Sequence, residues 1–247
     1  MQWSKMNKDN TIGYNRDSCA ITYRFSTPVY PANILYVNIV DNYRCINDCA
    51  FCSRPRIADD FGKPNIYEKK AGTCLYLPNA PTIEEIMASI YRNIKDDDKE
   101  LAIIGLGEPL IYLDLVVDIL TKVKAKYNIK TRVDTNGLAK CLHTTPAERL
   151  SAAGLDEIRI SLNETDAESY NKLCKPKFSD AYQKLIEFIQ ECRASSINTF
   201  VSFVVGFADE TLGVRTKPKN EYIDFAQSIG VPTDHIIIRE FVPPLNQ

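Results

Sequence analysis

The chain has 247 residues, of which 45% are hydrophobic and 25% are charged, and its formal net charge is −2. This composition is typical of a globular protein with a sizeable core, so it argues against a largely disordered chain. The nearly balanced charge argues against a basic nucleic-acid-binding surface. The start of the chain is polar and no long apolar run follows it, which predicts a cytoplasmic protein without a signal peptide or membrane span.

Strand-like and helix-like segments alternate along the chain from residue 34 onward. Six apolar, β-rich runs predict strands at residues 34–40, 101–105, 129–135, 157–162, 199–206 and 235–242. Helical spacing and start signals predict helices at residues 82–94, 113–127, 145–153, 166–173, 179–194 and 219–229. Each pair of successive strands is therefore separated by at least one helix, which is typical of parallel βαβ units.

Six βαβ units are too few for a closed eight-stranded barrel. We therefore predict an α/β fold, a partial (β/α)6 TIM-like barrel of parallel strands. Residues 34–247 are expected to form this core domain, and residues 1–33 an N-terminal extension whose candidate strand at residues 20–25 covers one edge of the sheet. Residues 53–80 form an insertion that follows a cysteine-rich loop.

Three of the eight cysteines, Cys45, Cys49 and Cys52, lie within eight residues. This C-x3-C-x2-C motif directly follows the first predicted strand, at the strand end where parallel α/β proteins place their chemistry. All-cysteine ligand sets usually hold iron–sulfur clusters, and three thiolates would leave one iron of a four-iron cluster open. A zinc knuckle completed by a distant cysteine is the alternative, although a zinc ribbon normally has a second C-x2-C pair.

Polar residues and glycines follow the next three predicted strands. They are Gly105, Gly107 and Glu108 after the second strand, Asp134 and Asn136 at the third, and Ser161 and Asn163 at the fourth. Ser161 and Asn163 share one face of their strand, where buried polar groups need hydrogen-bond partners. The glycines and Asn136 are also residues that turns commonly contain.

These motifs together resemble the radical S-adenosylmethionine (radical SAM) superfamily. The cysteine motif, with Phe51 before its last cysteine, follows a first strand as in that family. The segment IGLGEP resembles the family's glycine-glycine-glutamate-proline motif, with Leu106 in place of the first of the adjacent glycines. DTNG and SLN resemble the segments after the third and fourth strands. More narrowly, the stretches YLPNAPTIEEI, GEPLIYLD, RVDTNGLA and SLNETDAESYNKLCKPKF resemble the TatD-linked radical SAM proteins.

The resemblance implies a [4Fe–4S] cluster held by Cys45, Cys49 and Cys52, with S-adenosylmethionine on the fourth iron. One electron, from a donor such as flavodoxin or ferredoxin, would cleave S-adenosylmethionine to methionine and a 5′-deoxyadenosyl radical. This radical would take a hydrogen atom from a small molecule, nucleoside or peptide.

The same resemblance implies a set of residues that bind S-adenosylmethionine. Phe51 would lie near the adenine, and Gly105 and Gly107 would allow close approach of the backbone. Glu108 would pair with the ammonium or fasten its loop. Asp134 and Asn136 would lie near the carboxylate, where Asp134 and Thr135 would hold a cation. Ser161 and Asn163 would bind the ribose or the carboxylate.

Two alternatives remain open at the level of sequence. One is an enzyme that installs a glycyl radical on a partner protein, and the other is a non-enzymatic zinc or redox module. A single cluster is expected because the remaining cysteines have no tight spacing and no cysteine-rich extension follows the sixth strand. Of these cysteines, Cys141 and Cys174 follow the third and fourth strands and are either packed core residues or thiols on the substrate side.

Overall fold

The structure is a computed structural model, and it describes residues 20–25, 32–56 and 66–242. Within these residues seven strands form one sheet in sequence order: β1 (Thr22–Tyr23), β2 (Ile34–Val37), β3 (Glu100–Ile103), β4 (Lys130–Thr135), β5 (Glu157–Ser161), β6 (Asn198–Val205) and β7 (Ile236–Glu240). Strands β2 to β7 pair in parallel, and β1 pairs antiparallel with β2 at the edge. The predicted partial barrel of six parallel strands is confirmed, as is the short strand that covers its edge.

Seven α-helices connect these strands in the described part of the chain. They are α1 (Ile66–Ala71), α2 (Ile83–Asn93), α3 (Leu113–Lys126), α4 (Pro146–Ala152), α5 (Ala167–Cys174), α6 (Ala181–Ala194) and α7 (Lys219–Ser228). Helix α2 begins at a capping box, in which the Thr82 side chain accepts from the Glu85 amide and the Glu85 side chain accepts from the Thr82 amide. Helix α1 lies in the insertion, where the sequence pattern predicted no element. No helix in the described ranges is long and apolar enough to cross a membrane.

The first two parallel strands differ from their predicted ranges. Strand β2 ends three residues earlier than predicted, and β3 begins one residue earlier and ends two residues earlier. Strand β2 ends at Val37, and the side chain of the next residue, Asn38, bonds the chain that follows: it donates to the Leu75 carbonyl at 2.7 Å and accepts from the Val40 amide at 3.3 Å. Strand β3 ends at Ile103, since the chain must turn toward Gly105 and Gly107. Both departures let the residues after each strand form loops instead of continuing the sheet.

The two faces of the sheet differ in chemistry. Leu101, Val133, Ile158 and Val201 point to the helices and belong to one buried apolar cluster with residues of α2 to α7. The opposite face, here called the inner face, contains Tyr36, Ala102, Arg132, Glu157 and Arg159 with the residues in register beside them. The strands are parallel and in register, so the segments that follow β2 to β6 emerge at the same end of the sheet. The division into an extension at residues 1–33 and a core at 34–247 stays a prediction, and much of the extension lies outside the described residues.

Candidate functional site

The cysteine loop, residues 43–56, follows β2 and contains Cys45, Cys49 and Cys52, each of which is partly buried. Backbone hydrogen bonds fasten this loop to the end of helix α5. The Asp48 amide donates to the Cys174 carbonyl at 3.0 Å, and the Ala50 amide donates to the Leu173 carbonyl at 2.8 Å. The last carbonyls of a helix have no partner within the helix, so the loop supplies the donors that this end requires.

Two arginines that follow the last cysteine also hold the loop. Arg54 donates to the carbonyls of Tyr43 and Asn47, each at 3.0 Å, and Arg56 donates to the Cys49 carbonyl at 2.7 Å. Each of these bonds joins residues between 7 and 11 positions apart in the loop, so they close the loop on itself. The sequence analysis did not identify either arginine, because a basic residue after the motif has no defined partner until the loop is folded.

Hydrogen-bond donors point at two of the three cysteine sulfurs. The Asn47 amide lies 3.4 Å from the Cys45 sulfur, and the Asn136 side chain lies 3.6 Å from it. The Arg54 amide lies 3.4 Å from the Cys52 sulfur. Donors of this kind stabilise negative charge on sulfur and tune iron–sulfur clusters.

The thiols themselves lie in an environment that opposes ionisation. Burial raises the pKa of Cys45 to about 11, and the nearby charge of Glu108 adds to this effect. A hydrogen bond with Cys174, followed by burial, raises the pKa of Cys49 well above its usual value. Thiolate ligands therefore need the positive charge that a bound metal centre supplies.

Glu108 is buried and joins two loops at the same end of the sheet. Its carboxylate accepts from the Leu110 amide at 2.8 Å, the Thr135 hydroxyl at 2.7 Å and the Asn136 amide at 2.6 Å. Burial raises the pKa of Glu108 to about 7, although all three donors favour the ionised form. The sequence analysis offered two roles for Glu108, and these contacts are the ones that fastening the loop requires. A contact with the ammonium of S-adenosylmethionine stays a prediction.

Gly105 and Gly107 lie where the segment after β3 packs against the segment after β2. A Cβ atom at Gly105 would lie 2.5 Å from the Val40 side chain. At Gly107, whose φ is +145°, a Cβ atom would lie 2.4 Å from the Arg44 carbonyl oxygen. Only glycine allows this approach. Both glycines therefore have a packing role in the structure, and their predicted contact with the cofactor stays untested.

Asp134 and Asn136 have separate surroundings even though both come from the end of β4. Asp134 lies on the inner face, where it accepts from the Arg132 guanidinium at 2.5 Å. The Asn136 side chain accepts from the Leu138 amide at 2.9 Å and reaches the Cys45 sulfur. The structure therefore brings Asn136, but not Asp134, into contact with the cysteine loop. The cation predicted beside Asp134 and Thr135 stays a prediction.

Ser161 is the last residue of β5, whereas Asn163 lies two residues beyond the strand. The prediction that the two share one face of a strand is therefore wrong, because the chain has left the extended conformation by Asn163. Asn163 has a left-handed backbone conformation, with φ of +62°, and its side chain is buried. Its amide nitrogen lies 3.7 Å from the Cys174 sulfur, whereas its side-chain oxygen has no hydrogen-bond partner. A buried oxygen without a partner is costly in free energy. A ligand with a hydrogen-bond donor would remove this cost.

Phe51 packs against an aromatic side chain that the sequence analysis missed. Its ring lies 6.2 Å from that of Phe207, which in turn lies 5.1 Å from the ring of Phe241. Phe207 directly follows Gly206 at the end of β6, so a search for aromatic residues after each strand would have found it. The aromatic ring of Phe207 thus packs against one that belongs to the cysteine loop.

The remaining cysteines have different positions. Cys174 is buried against Cys49, and Cys141 is half-buried, with a pKa that burial raises to about 11. Cys19 lies outside the described residues. Within the described ranges, no three histidine, cysteine or acidic side chains are grouped as a single metal ion requires. The donor set of the loop nevertheless fits an iron–sulfur cluster, since it offers three cysteines on one short loop and donors aimed at their sulfurs.

Comparison with known proteins agrees with this chemistry. A family model described as the Radical SAM superfamily matches residues 39–215. The chain is 28% identical over 152 residues to the GTP 3′,8-cyclase of Aliarcobacter butzleri, covering 62% of this chain and 43% of that protein. It is 29% identical over 162 residues to the probable GTP 3′,8-cyclase of Methanocaldococcus jannaschii, covering 66% and 49%. The matched region thus spans less than half the length of these curated relatives.

Solved structures show the same fold at low sequence identity. Native anSMEcpe with bound AdoMet has a TM-score of 0.59 and 14% identity, covering 87% of this chain and 52% of that one. Streptococcus suis SuiB bound to the precursor peptide SuiA has a TM-score of 0.57 and 17% identity, covering 84% and 39%. HydG, a maturase of the [FeFe]-hydrogenase, has a TM-score of 0.57 and 15% identity, covering 86% and 44%.

The family match extends from the segment after β2 past the end of β6, and so it includes every loop described above. Enzymes of this family use a [4Fe–4S] cluster and S-adenosylmethionine, which favours an enzyme over a zinc or redox module. The narrower resemblance to TatD-linked proteins stays a prediction. On the evidence of its sequence match, its fold and its cysteine loop, this chain belongs to the radical SAM superfamily of enzymes.

Proposed function

We propose that this chain binds a [4Fe–4S] cluster through Cys45, Cys49 and Cys52 and uses it to cleave S-adenosylmethionine reductively. When bound, the cluster supplies the electron for this cleavage, which gives methionine and a 5′-deoxyadenosyl radical that takes hydrogen from a substrate. The observation that carries the proposal is the cysteine loop, which is held in place by a neighbouring helix and by hydrogen bonds within the loop itself. Helix α5 holds it at Asp48 and Ala50, and the arginines close it internally.

The protein's own groups would bind the cofactor at the ends of the strands. The unpartnered oxygen of Asn163 would accept a hydrogen bond from it, and Ser161, the last residue of β5, lies two residues earlier in the chain. Phe51 in the cysteine loop and Phe207 beside it offer apolar rings suited to packing against the adenine. Gly107 keeps the segment after β3 close to the cysteine loop, and Gly105 packs the same segment against Val40. The two glycines would thereby shape this side of the cofactor site.

The rest of the fold would separate the reaction from water. Strand β1 and the insertion cover the β2 edge of the inner face, where Tyr23, Phe25 and Leu75 form an apolar cluster with Tyr36 and Ala102. A substrate would lie on the open part of the inner face, near β5 and β6. The substrate would be a small molecule, a nucleoside or a peptide, and the electron would come from a donor such as flavodoxin or ferredoxin. A glycyl-radical-activating role is an alternative that none of the contacts described above favours.

Replacing any one of Cys45, Cys49 and Cys52 by alanine should abolish the release of 5′-deoxyadenosine, because two protein ligands cannot hold the open iron in place. The measurement is anaerobic turnover of the reconstituted chain with dithionite and S-adenosylmethionine. Cys192→Ala is the matched control, since Cys192 is buried in α6 and away from the loop. Wild-type release by any of the three loop variants would refute this ligand assignment.

Asn163→Ala and Ser161→Ala should each weaken the binding of S-adenosylmethionine by about 1–3 kcal/mol, the usual effect of losing a buried hydrogen bond. Calorimetry on the reconstituted protein measures this change in affinity. Asn198→Ala serves as the control, because Asn198 is exposed at the opposite end of β6. Unchanged affinity in both site variants would remove the end of β5 from the cofactor site.

Arg56→Gln should accelerate loss of iron from the reconstituted protein to a chelator by roughly three- to tenfold, since it removes a charge-assisted bond to the Cys49 carbonyl. The rate is read from the absorbance of the chelator complex. Arg44→Gln, on the same loop but with a side chain that is mostly exposed, should lose iron at the wild-type rate. Equal rates in all three proteins would show that Arg56 does not hold the cluster loop.

A further inference from the structure

The inner face of the sheet carries a network of charged side chains in register across β3, β4 and β5. Its members are Glu100, Lys130, Arg132, Asp134, Glu157 and Arg159. These are three acidic and three basic side chains. Arg239 on β7 lies on the same face, beside Val204, and gives the face one positive charge in excess.

Most of this network is closed. Arg132 is buried and donates to Glu100 at 2.6 Å and to Asp134 at 2.5 Å. Lys130 donates to Glu157 at 2.6 Å, and Glu157 is also buried. Paired charges of this kind satisfy one another and leave little capacity to bind anything else. These paired side chains hold one another in place on the inner face.

Arg159 is the member of the network that keeps free donors. Its Nε donates to Glu157 at 2.7 Å, but no described residue accepts from its two terminal NH2 groups. Its side chain is 30% exposed. The guanidinium carbon lies 5.9 Å from the ring centre of Phe200, and that ring stacks on His235 at a centroid distance of 4.4 Å. Glu157 and Phe200 therefore fix the side chain while four N–H donors remain available.

The position of Arg159 relative to the proposed cofactor site suits a substrate contact. Ser161 follows it on the same face of β5, about 6.6 Å further toward the end of the strand. Ser202 lies beside Ser161 in register and adds a second hydroxyl on this face. A substrate that loses hydrogen to a radical formed from the cofactor must lie directly against that cofactor. Arg159, next to the two serines on the inner face, is placed to meet this requirement.

We propose that Arg159 binds an anionic group of the substrate, a phosphate or a carboxylate, on the inner face of β5. The inference rests on the proposed function, because it places the substrate next to the residues assigned to S-adenosylmethionine. A planar guanidinium offers two parallel donors that match both anions, and here its carbon lies over the Phe200 ring, which favours one orientation of the group. The excess positive charge contributed by Arg239 favours an anion over a cation at this face.

The test is isothermal titration of the full, cluster-loaded chain with S-adenosylmethionine bound, using inorganic pyrophosphate and, separately, succinate as probes. We expect wild-type protein to bind at least one probe, and Arg159→Gln to bind it about tenfold or more weakly. Arg149→Gln is the matched control and should bind as wild type does, since Arg149 pairs with Asp114 on the helical side. Preference for pyrophosphate would identify a phosphate-bearing substrate, and preference for succinate a carboxylate.

Arg159→Lys keeps the positive charge beside Glu157 and therefore guards against a variant that fails to fold. It loses the paired donors, so we expect its affinity for the probe to fall below that of wild type. Failure of wild type to bind either probe, or wild-type affinity in Arg159→Gln or Arg159→Lys, would overturn the inference. Release of 5′-deoxyadenosine by the wild type is measured in parallel. If the wild type releases 5′-deoxyadenosine but the Arg159 variants bind the anion as the wild type does, the substrate inference alone is wrong. If the wild type releases no 5′-deoxyadenosine, the proposed function is wrong.

Discussion

Glu108, through its backbone amide and its buried carboxylate together, joins the segments that follow three consecutive strands. Its own amide donates to the Arg44 carbonyl in the cysteine loop, and its side chain accepts from Thr135 and from the amide of Asn136 after β4. Gly107 makes this approach possible, because any side chain there would meet the Arg44 oxygen. The glycines and the glutamate of this motif thus act as one unit. They determine where the cysteine loop lies before any cofactor binds.

Helix α5 and its flanking residues complete this arrangement from the other side. The end of α5 accepts the loop amides, and Cys174 at its last position lies against Cys49 and Asn163. One helix terminus therefore connects the proposed cluster ligands with the proposed cofactor residues at the end of β5. The sequence left Cys174 as either a packed core residue or a thiol on the substrate side. In the structure it is a buried, packed residue. Cys174 therefore positions its neighbours and is not one of the proposed cluster ligands.

Features determined by the local sequence pattern were predictable, and features that depend on how the loops fold and pack were not. The alternation of apolar strands and helices is local, so the six parallel strands could be inferred, and so could the cysteine motif after the first of them. Several contacts of the site join residues that come together only in the folded chain. They are the hydrogen bonds of Arg54 and Arg56, the packing of Phe207 on Phe51, and the bond between Asn163 and Cys174. Likewise, the fold alone brings buried Arg132 to Glu100 and buried Glu157 to Lys130.

The central claim is that the cysteine loop holds one four-iron cluster, with three protein ligands and no second centre. The most direct test is to reconstitute the full chain anaerobically and to count iron, sulfide and zinc per chain. We expect about four irons and four sulfides, with little zinc. Zinc without sulfide would contradict it. So would a count near eight irons that falls when Cys141 and Cys174 are replaced, since this would reveal a second cluster.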